Sequence, residues 1–283
     1  MRKTVNKKKA VKKKAVVKRT RISKPVQKFH YTHEYLLNPQ HPVTVKVIGC
    51  GGSGSQMLQA LARINVSLIS LGHPGLLVQA WDSDRVTEAN LGRQLFSKAD
   101  LDQYKAKVLI ERINRFYGFN WQAHPLQWDE ICLKDQLFAN VMISCVDNVA
   151  TRETINKIQI GSYKYGEPFN KALYWLDLGN THNAGQVVLG TFREVEQPKR
   201  TRGTVSELPS IMDFHPDMKK FEKPEAPSCS LAEALGKQDL FINSTLVQFA
   251  ATILWKMFKE LRIENHGCYL NLDTLTVNPI KIK

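Results

Sequence analysis

A glycine-rich stretch is the first part of this sequence that could do chemistry. Residues 49–54 read Gly-Cys-Gly-Gly-Ser-Gly, a G-x-G-x-x-G pattern that follows a β-branched run. Glycine lets the backbone turn sharply and approach a ligand, and a helix N-terminus beyond such a turn presents free N–H groups to an anion. The pattern predicts a nucleotide-phosphate site whose contacts are the four glycines, Gly49, Gly51, Gly52 and Gly54.

Two carboxylates follow the next apolar run. Leu76–Trp81 is a predicted strand, and Asp82 and Asp84 come after it. An acid at this strand end accepts hydrogen bonds from ribose hydroxyls, and we assign that role to Asp82. Nicotinamide, flavin and methyl-transfer enzymes share the glycine pattern, so that pattern on its own does not identify the ligand.

Three polar residues beyond Asp84 narrow the choice. Asn90, Arg93 and Gln94 stand within one short stretch. A dehydrogenase has no need of such an asparagine and arginine just past its ribose acid, whereas an enzyme that handles a triphosphate does. The combined pattern, D-x-D…N-L-x-R-Q, resembles the signature of the ubiquitin-activating, thiamine- and molybdopterin-adenylyltransferase (ThiF/MoeB/HesA) family.

The resemblance covers nearly the whole chain after the N-terminal segment and implies that the ligand is ATP. In the family, the side chains that match Asn90, Arg93 and Gln94 lie along the triphosphate. Lys105 matches the lysine of a G-x-x-K-A segment, with Asp102 where a glycine is common. These four polar residues are therefore expected to contact ATP, together with Asp84 near the ribose acid.

A later acidic site completes the set that the resemblance implies. Asp147 and Asn148 follow an apolar run and match the family's D-N pair, whose aspartate is associated with Mg²⁺. The implied reaction is attack of a carboxylate on the α-phosphate of ATP, which needs no protein nucleophile. Arg93, Lys105 and Mg²⁺ held by Asp147 would spread the charge that develops towards pyrophosphate.

The resemblance also implies a protein partner, a small ubiquitin-like (β-grasp) protein whose C-terminal carboxylate is adenylated. Homodimer formation is inferred from the family alone. Residues 228–243 resemble the S-C-S-L-A-E-A-L-x-x-Q-x-L-F-x-N segment of the ThiF-related proteins of the PRTRC plasmid cassette. Cys229 in this segment is a candidate thioester-forming nucleophile, since a helix start lowers a thiol pKa, and a packed cysteine is the alternative. The four zinc cysteines of many relatives are missing.

Two other functions stay open from the sequence. One is a nicotinamide-dependent oxidoreductase, against which the Asn90, Arg93, Lys105 and Asp147 set argues. The other is a catalytically degenerate nucleotide-binding scaffold in plasmid maintenance, which would use a nucleic-acid-binding tail. Nucleotide preference separates the first from an adenylyltransferase, and salt-sensitive DNA binding that is lost on tail deletion would support the second.

These side chains require a scaffold that brings strand ends together. We expect a Rossmann-like doubly wound α/β fold with a mostly parallel sheet, because ligands in such sheets lie beyond the strand carboxyl ends. The predicted strands are 45–48, 76–81, 120–126, 141–146, 174–179, 185–192, 269–272 and 274–277. The predicted helices are 55–64, with 65–71 undecided, 105–116 with Phe116 on its buried face, 134–138, 151 onward, 231–235 and 240–261.

Charge divides the 283 residues into two parts. Residues 1–28 carry 13 lysines and arginines without one acid, which leaves +1 of the net +14 for the rest. A segment of this kind is predicted to be disordered, and it could contact nucleic acid nonspecifically or be a solvated terminus. Residues 29–283 are the predicted adenylation domain, and the proline-rich stretch 193–228 is predicted to be a long crossover-like loop.

Cysteine usage and hydropathy favour the cytoplasm. The five cysteines are scattered without a C-x-x-C pair, and no apolar stretch of a signal peptide follows the basic start. Residues 240–258 are apolar but contain several amides and hydroxyls, so they predict a buried core helix and no membrane span. His30, His33 and His41 lack a regular ligand spacing and are predicted to be surface residues.

Overall fold

The computed structural model describes residues 27–135, 138–160, 171–221 and 230–283. All but two residues of the basic segment 1–28 lie outside these ranges. Cys229 and the last part of the predicted loop 193–228 lie outside them as well.

The described residues form ten strands and nine α-helices. The strands are β1 (His30–Tyr31), β2 (Val43–Ile48), β3 (Leu76–Trp81), β4 (Gln122–His124), β5 (Val141–Ser144), β6 (Tyr174–Asn180), β7 (Ala184–Thr191), β8 (Arg262–Ile263), β9 (Asn265–Asn271) and β10 (Thr276–Lys281). The helices are α1 (Glu34–Leu37), α2 (Gly52–Ser70), α3 (Lys105–Tyr117), α4 (Glu130–Lys134), α5 (Val149–Ile160), α6 (Ile211–Phe214), α7 (Met218–Phe221), α8 (Leu231–Lys237) and α9 (Ile242–Lys259).

Eight strands form one sheet in the order β10-β9-β7-β6-β5-β2-β3-β4. The five strands from β6 to β4 run parallel, and β7, β9 and β10 extend the sheet through antiparallel pairs. The chain leaves β2 for β3 on one side and later returns to β5 on the other side. This reversal makes a switch point between the carboxyl ends of β2 and β5, where open α/β sheets bind ligands.

Helices cover both faces of the sheet. Side chains of α2, α3 and α9 form the larger apolar cluster with one face, as Leu58, Leu109 and Leu246 do. Helices α4, α5 and α6 contribute to the cluster on the other face, where Ile155 and Trp175 are buried. The predicted doubly wound, mostly parallel α/β fold is therefore confirmed.

Helix α2 is longer than the sequence pattern indicates. It continues past the predicted end at Ile64 to Ser70. Asn65, the polar residue that interrupts the apolar pattern, is 3% exposed. Its Oδ1 accepts a hydrogen bond from the Leu76 N–H at 2.7 Å, at the start of β3. The amide is thus satisfied inside the fold, and the helix passes through it.

Three further expectations need correction. Phe116 is 79% exposed, because the buried face of α3 ends at Ile113 and Trp121 from the following loop is buried in the same cluster instead. The helix placed at 134–138 lies at Glu130–Lys134, since the Asp129 carboxylate accepts the Ile131 N–H at 2.8 Å and starts the helix earlier. The stretch 193–221 contains two single-turn helices, α6 and α7.

His30 corrects the prediction of surface histidines. It has no exposed surface, and its two ring nitrogens contact the Val205 carbonyl at 2.7 Å and the Tyr174 hydroxyl at 2.9 Å. Burial lowers the pKa of His30 to about 4. The ring is therefore a neutral structural link between the N-terminal lead-in and β6.

The apolar helix α9 packs in the core, as predicted. Eight of its residues are buried, among them Leu246, Ala250 and Leu254. In the part of the chain that the structure describes, no single helix is long and apolar enough to cross a membrane. Helices α8 and α9 reach that length and composition only as a pair, which is bent by 61°.

Candidate nucleotide-binding site

The glycine turn lies at the switch point and is shaped by its contact with β5. Gly49 follows β2 with φ +87°, and a Cβ there would come within 2.6 Å of the Cys145 carbonyl oxygen. Only glycine tolerates both the positive φ and this approach. The chain then enters α2 at Gly52. The N-terminus of this 19-residue helix therefore lies at the switch point, where its N–H groups are available to an anion.

Asp82 binds the backbone of this turn. Its Oδ2 accepts the Cys50 N–H at 2.5 Å, and its Oδ1 accepts the Asp84 N–H at 2.8 Å. Burial is the largest effect on the carboxyl and raises the pKa of Asp82, against the opposing Cys50 N–H and Lys105 ammonium. The predicted ribose acid is thus locked against the glycine turn at the end of β3.

Lys105 and Asp84 form an ion pair beside Asp82. The Lys105 ammonium lies 2.8 Å from Asp84 Oδ2, and the Lys105 N–H donates to the Asp84 carbonyl at 2.9 Å. The lysine side chain is 9% exposed and the aspartate side chain 66%. The buried ammonium is therefore held at the start of α3 by a carboxylate that solvent largely screens.

The predicted triphosphate stretch lies over the N-terminus of α2. Asn90 ends a 3₁₀ turn, where its Oδ1 accepts the N–H of Thr87 at 2.9 Å. Gln94 Nε2 lies 3.9 Å from where a Cβ of Gly51 would stand. Arg93 donates from Nη1 to Gln238 Oε1. Asn90 thus shapes the loop, while Arg93 and Gln94 face the turn region.

Two buried polar atoms of this loop lack a partner within the described ranges. They are Arg93 Nε, a donor, and Gln94 Oε1, an acceptor. Burial lowers the pKa of the Arg93 guanidinium. An unpaired buried donor or acceptor costs roughly 1–3 kcal/mol, so both atoms would gain from a bound ligand.

Two site residues were not among those selected from the sequence. Gln238 and Asn243 lie at the α8–α9 connection and contact the loop and the turn. Gln238 and Asn243 are the first and last residues of the Q-x-L-F-x-N pattern at 238–243. This pattern is the feature of the sequence that could have indicated them. It was missed because nothing in the sequence brings residue 238 next to residue 93.

Asp147 follows β5 on the same edge of the sheet as Gly49. It is exposed, and within the described ranges its carboxylate has no hydrogen bond or ion pair. Asn148 Oδ1 accepts the Thr151 N–H at 2.9 Å and so caps the first turn of α5. The structure thus places Asp147 at the switch point with its carboxylate unused, and gives the side chain of Asn148 a structural role.

A buried ion pair lies beneath this edge. Arg152 Nε lies 2.7 Å from Asp177 Oδ1, and both side chains are at most 6% exposed. Ser144 donates to the same oxygen at 2.6 Å, and the other Arg152 nitrogens donate to the carbonyls of Leu178 and Asn148. This network ties β5, β6 and α5 together below Asp147.

The four cysteines that the structure describes are free thiols. Cys50 lies within the glycine turn, but burial raises its pKa well above the ordinary value, which excludes it as a thiolate nucleophile. Within the described ranges no cluster of three or more His, Cys, Asp or Glu side chains could hold a metal ion.

The fold and this site together define the class of protein. The chain belongs to the ThiF family, whose model matches residues 40–278. The resemblance drawn from the D-x-D…N-L-x-R-Q pattern is thereby confirmed.

Particular relatives are similar over parts of the chain. The sulfur carrier protein ThiS adenylyltransferase of Escherichia coli (strain K12) is 36% identical over 115 residues, which are 40% of this chain and 42% of that protein. The crystal structure of PaaA is similar with a TM-score of 0.56 at 15% sequence identity. The match covers 85% of this chain and 64% of the PaaA chain.

Escherichia coli MccB, solved with ATP, has a TM-score of 0.53 at 14% identity over 84% of this chain and 64% of its own. MccB has also been solved with MccA, at a TM-score of 0.54 and 15% identity over 85% and 64% of the two chains. This chain thus spans less than two thirds of each of these relatives, and at these identities the solved structures show a shared fold.

Proposed function

We propose that this protein is an ATP-dependent adenylyltransferase that activates the C-terminal carboxylate of a small ubiquitin-like protein and releases pyrophosphate. One observation carries the proposal. Arg93 is half-buried at the N-terminal end of α2, its Nε has no partner within the described ranges, and the same site contains the buried Lys105 ammonium. Membership of the ThiF family and the name of the ThiS adenylyltransferase support it.

The cationic groups of the site suit a triphosphate. The N–H groups that open α2 would bind phosphate oxygens, and Asp82 would hold the ribose from the end of β3. Arg93 and Lys105 would face the β- and γ-phosphates. Within the described ranges Arg93 is bonded to a neutral amide and Lys105 to a carboxylate that lies mostly in water, and both cations are proposed to act on the ligand.

The proposed step exchanges one bond for another at phosphorus. An oxygen of the partner's carboxylate attacks the α-phosphorus and forms an acyl–phosphate bond. The bond from the α-phosphorus to the bridging oxygen breaks, and its electron pair leaves with pyrophosphate. Arg93 and Lys105 stabilise that leaving charge, an effect for which preorganised donors typically contribute ~2.7–4 kcal/mol each.

The residues present fit a magnesium ion that arrives with ATP. Mg²⁺ takes one or two protein carboxylates and completes its octahedron with phosphate oxygens and water. Asp147 is an exposed carboxylate without a competing partner in the part of the chain that the structure describes, which suits such a ligand. The ion would neutralise phosphate charge when bound.

The proposal also includes a partner, an assembly, a location and an acceptor cysteine. The partner's β-grasp fold, a homodimer, the PRTRC plasmid association and a cytoplasmic location all rest on the sequence resemblance and composition. Cys229 is proposed as an acceptor of the acyl group from the adenylate, which would form a thioester and release AMP.

The basic segment 1–28 is proposed to contact nucleic acid nonspecifically. Its 13 cations support this role, and binding should weaken steeply with salt. Comparison of the full chain with a chain that begins at residue 29 tests it in a DNA-binding titration at two salt concentrations. Equal DNA affinity of the two chains would contradict the role.

ATP–pyrophosphate exchange tests the proposed function. The purified protein is assayed with the small ubiquitin-like protein encoded nearest its gene, as wild type, Arg93→Ala and Asp147→Ala. We expect exchange that requires the partner's C-terminal residues and falls by about 10²–10³-fold in Arg93→Ala. Arg115→Ala, which removes an exposed arginine from the last turn of α3, is the matched control and should exchange like wild type.

The result that contradicts the proposal is ATP binding without exchange for any ubiquitin-like candidate. Tight binding of a nicotinamide dinucleotide in place of ATP would instead favour the oxidoreductase. Binding of ATP alone, combined with a tail that binds DNA, would favour the scaffold.

A further inference from the structure

A chain of three hydrogen bonds connects the predicted triphosphate loop to the glycine turn. Arg93 Nη1 donates to Gln238 Oε1, and Asn243 Nδ2 donates to the same oxygen at 3.1 Å. Ser53 Oγ then donates to Asn243 Oδ1 at 2.9 Å. One glutamine oxygen therefore ties Arg93 to the first turn of α2.

Gln238 is itself held firmly. Its N–H donates to the Ala234 carbonyl at 3.1 Å and ends α8 in an extended conformation. The next residue, Asp239, donates its N–H to the His182 carbonyl at 2.8 Å, at the tip of the β6–β7 hairpin. The backbone on both sides of the glutamine is thus fixed, which limits the positions that its amide can take.

Asn243 is fitted against the glycine turn. It is 2% exposed at the start of α9, and a Cβ on Gly52 would lie 2.5 Å from its Nδ2. The absence of a side chain at position 52 is what makes room for this amide. The close fit leaves Asn243 one orientation in which both Ser53 and Gln238 are satisfied.

The chain satisfies one side of the Arg93 guanidinium and leaves another side for a ligand. Nη1 is bonded to a neutral amide, so the positive charge is not cancelled. Nε is buried and has no partner within the described ranges. A glutamate at position 238 would hold the same place but would neutralise the arginine.

We propose that Gln238 and Asn243 are positioning residues, which hold the Arg93 guanidinium so that its charge and free donors face the polyphosphate of the bound nucleotide. The inference rests on the proposed function, because Arg93 is its phosphate contact. Neither residue is assigned a contact with ATP. Both act through Arg93, and this separates them from the residues predicted from the sequence.

A double-mutant cycle on nucleotide affinity tests the inference. Calorimetry with ATP and with AMP is applied to wild type, Gln238→Leu, Arg93→Ala and the double variant. Gln238→Leu should weaken ATP binding by about 10- to 100-fold, the range for a hydrogen bond to a charged group, and AMP binding far less. In the Arg93→Ala background, Gln238→Leu should add less than about threefold, because its effect passes through the arginine.

Two further variants sharpen the test. Gln238→Glu keeps the acceptor oxygen but adds a negative charge, and should weaken ATP binding at least as much as Gln238→Leu without loss of folding. Asn243→Ala should show the same selective loss for ATP. Gln248→Leu makes the matched change at an exposed position of α9 and should leave both affinities unchanged.

The outcomes separate this inference from the proposed function. Equal losses for ATP and AMP, or additive losses in the double variant, would show a merely structural role and overturn the inference, whatever the exchange assay gives. Losses of affinity that are selective for ATP and non-additive, in a protein without ATP–pyrophosphate exchange, would support the inference. They would contradict the proposed adenylation activity. A wild-type protein that binds no ATP would overturn both.

Discussion

Two arginines of this protein lie near the same edge of the sheet but differ in their burial and in the charge of their partners. Arg152 is buried against Asp177, and each of its three side-chain nitrogens has an acceptor. Arg93 is only half-buried, its one partner within the described ranges is the neutral Gln238, and its Nε has none.

The charge of Arg152 is neutralised by a carboxylate inside the fold, whereas the charge of Arg93 is not neutralised by its amide partner. A buried guanidinium needs a carboxylate, because desolvation otherwise costs several kcal/mol. The ion pair that meets this need also removes the field that a ligand could use. A guanidinium at a half-exposed position tolerates a neutral partner and keeps its charge. On this reasoning Arg152 stabilises the fold, and Arg93 is proposed to act in the nucleotide site.

The largest expected effect tests the first half of this contrast. Asp177→Leu leaves Arg152 buried without a carboxylate and should destabilise the fold by about 3–5 kcal/mol. Arg93→Met removes no ion pair and should change the stability by less than ~1 kcal/mol. Urea unfolding monitored by tryptophan fluorescence measures both, since Trp175 donates to Ser144 within the network. Similar losses in the two variants would contradict the contrast.

Replacing both members of the buried pair is the control for this prediction. Arg152→Met combined with Asp177→Leu leaves no unpaired charge, and should recover at least ~2 kcal/mol of the loss caused by Asp177→Leu alone. If the double variant is as unstable as the single one, the packing of Asp177 rather than its charge is what matters.

The second half of the contrast concerns activity. Arg93→Met should lower the exchange rate by about 10²–10³-fold, or ~2.7–4 kcal/mol, because a preorganised donor to the leaving phosphate is lost. Its unfolding midpoint in urea should stay close to that of wild type. A variant that loses stability in proportion to its activity would place Arg93 with Arg152, as a structural residue.

His30 is a buried titratable group without an ionic partner, and it extends the contrast to protonation. Its pKa is lowered to about 4 by burial, against 6.5 in an unfolded chain. Between these values the unfolded state takes up a proton that the folded state does not, so stability falls as the pH drops from 6.5 towards 4. The slope from this group approaches ~1.4 kcal/mol per pH unit.

Urea unfolding of wild type and His30→Gln at pH 7, 6 and 5 measures this contribution. The glutamine cannot take up a proton, so the variant should lose less stability than wild type over this range. His33 and His266, whose pKa values are also lowered, remain in both proteins. Because both interact electrostatically with His30, the difference measures His30 together with its coupling to them. Identical pH dependence in the two proteins would show that His30 is not held neutral.

Most of the fold was predictable because its signals are local and periodic. The glycine turn, the strand before it, the helix start after it and most of the buried face of α3 each follow from a pattern within a few residues. The errors occur where a tertiary contact decides. Asn65 interrupts the apolar pattern, but its amide is satisfied by β3. Trp121, rather than Phe116, is the aromatic residue that is buried in the cluster beside α3.

Residues of the candidate site could be selected from the sequence only where a residue type carries chemistry at a known spacing. Asp82, Arg93 and Lys105 stand out in this way, and the structure brings them to the edge that the glycines mark. Gln238 and Asn243 do not, because an amide has no characteristic spacing and because they lie 145 and 190 residues from Arg93 and Ser53, their respective partners. Long-range pairs of this kind become visible only when α9 packs beside α2.

The smallest expected effect belongs to the ion pair between Lys105 and Asp84, which lies between the two extremes. The lysine is buried like Arg152, but its carboxylate partner is mostly in water. Asp84→Asn should therefore cost no more than ~1 kcal/mol in urea unfolding, because the lost carboxylate lies mostly in water and the Asp82 carboxylate, which also interacts with Lys105, remains. The lysine charge should stay available to the nucleotide. A loss of several kcal/mol would mean that this pair stabilises the fold as Arg152 and Asp177 do. The charge of Lys105 would then be neutralised within the protein. Arg93 would be the cation of the proposed site whose charge could still act on a phosphate.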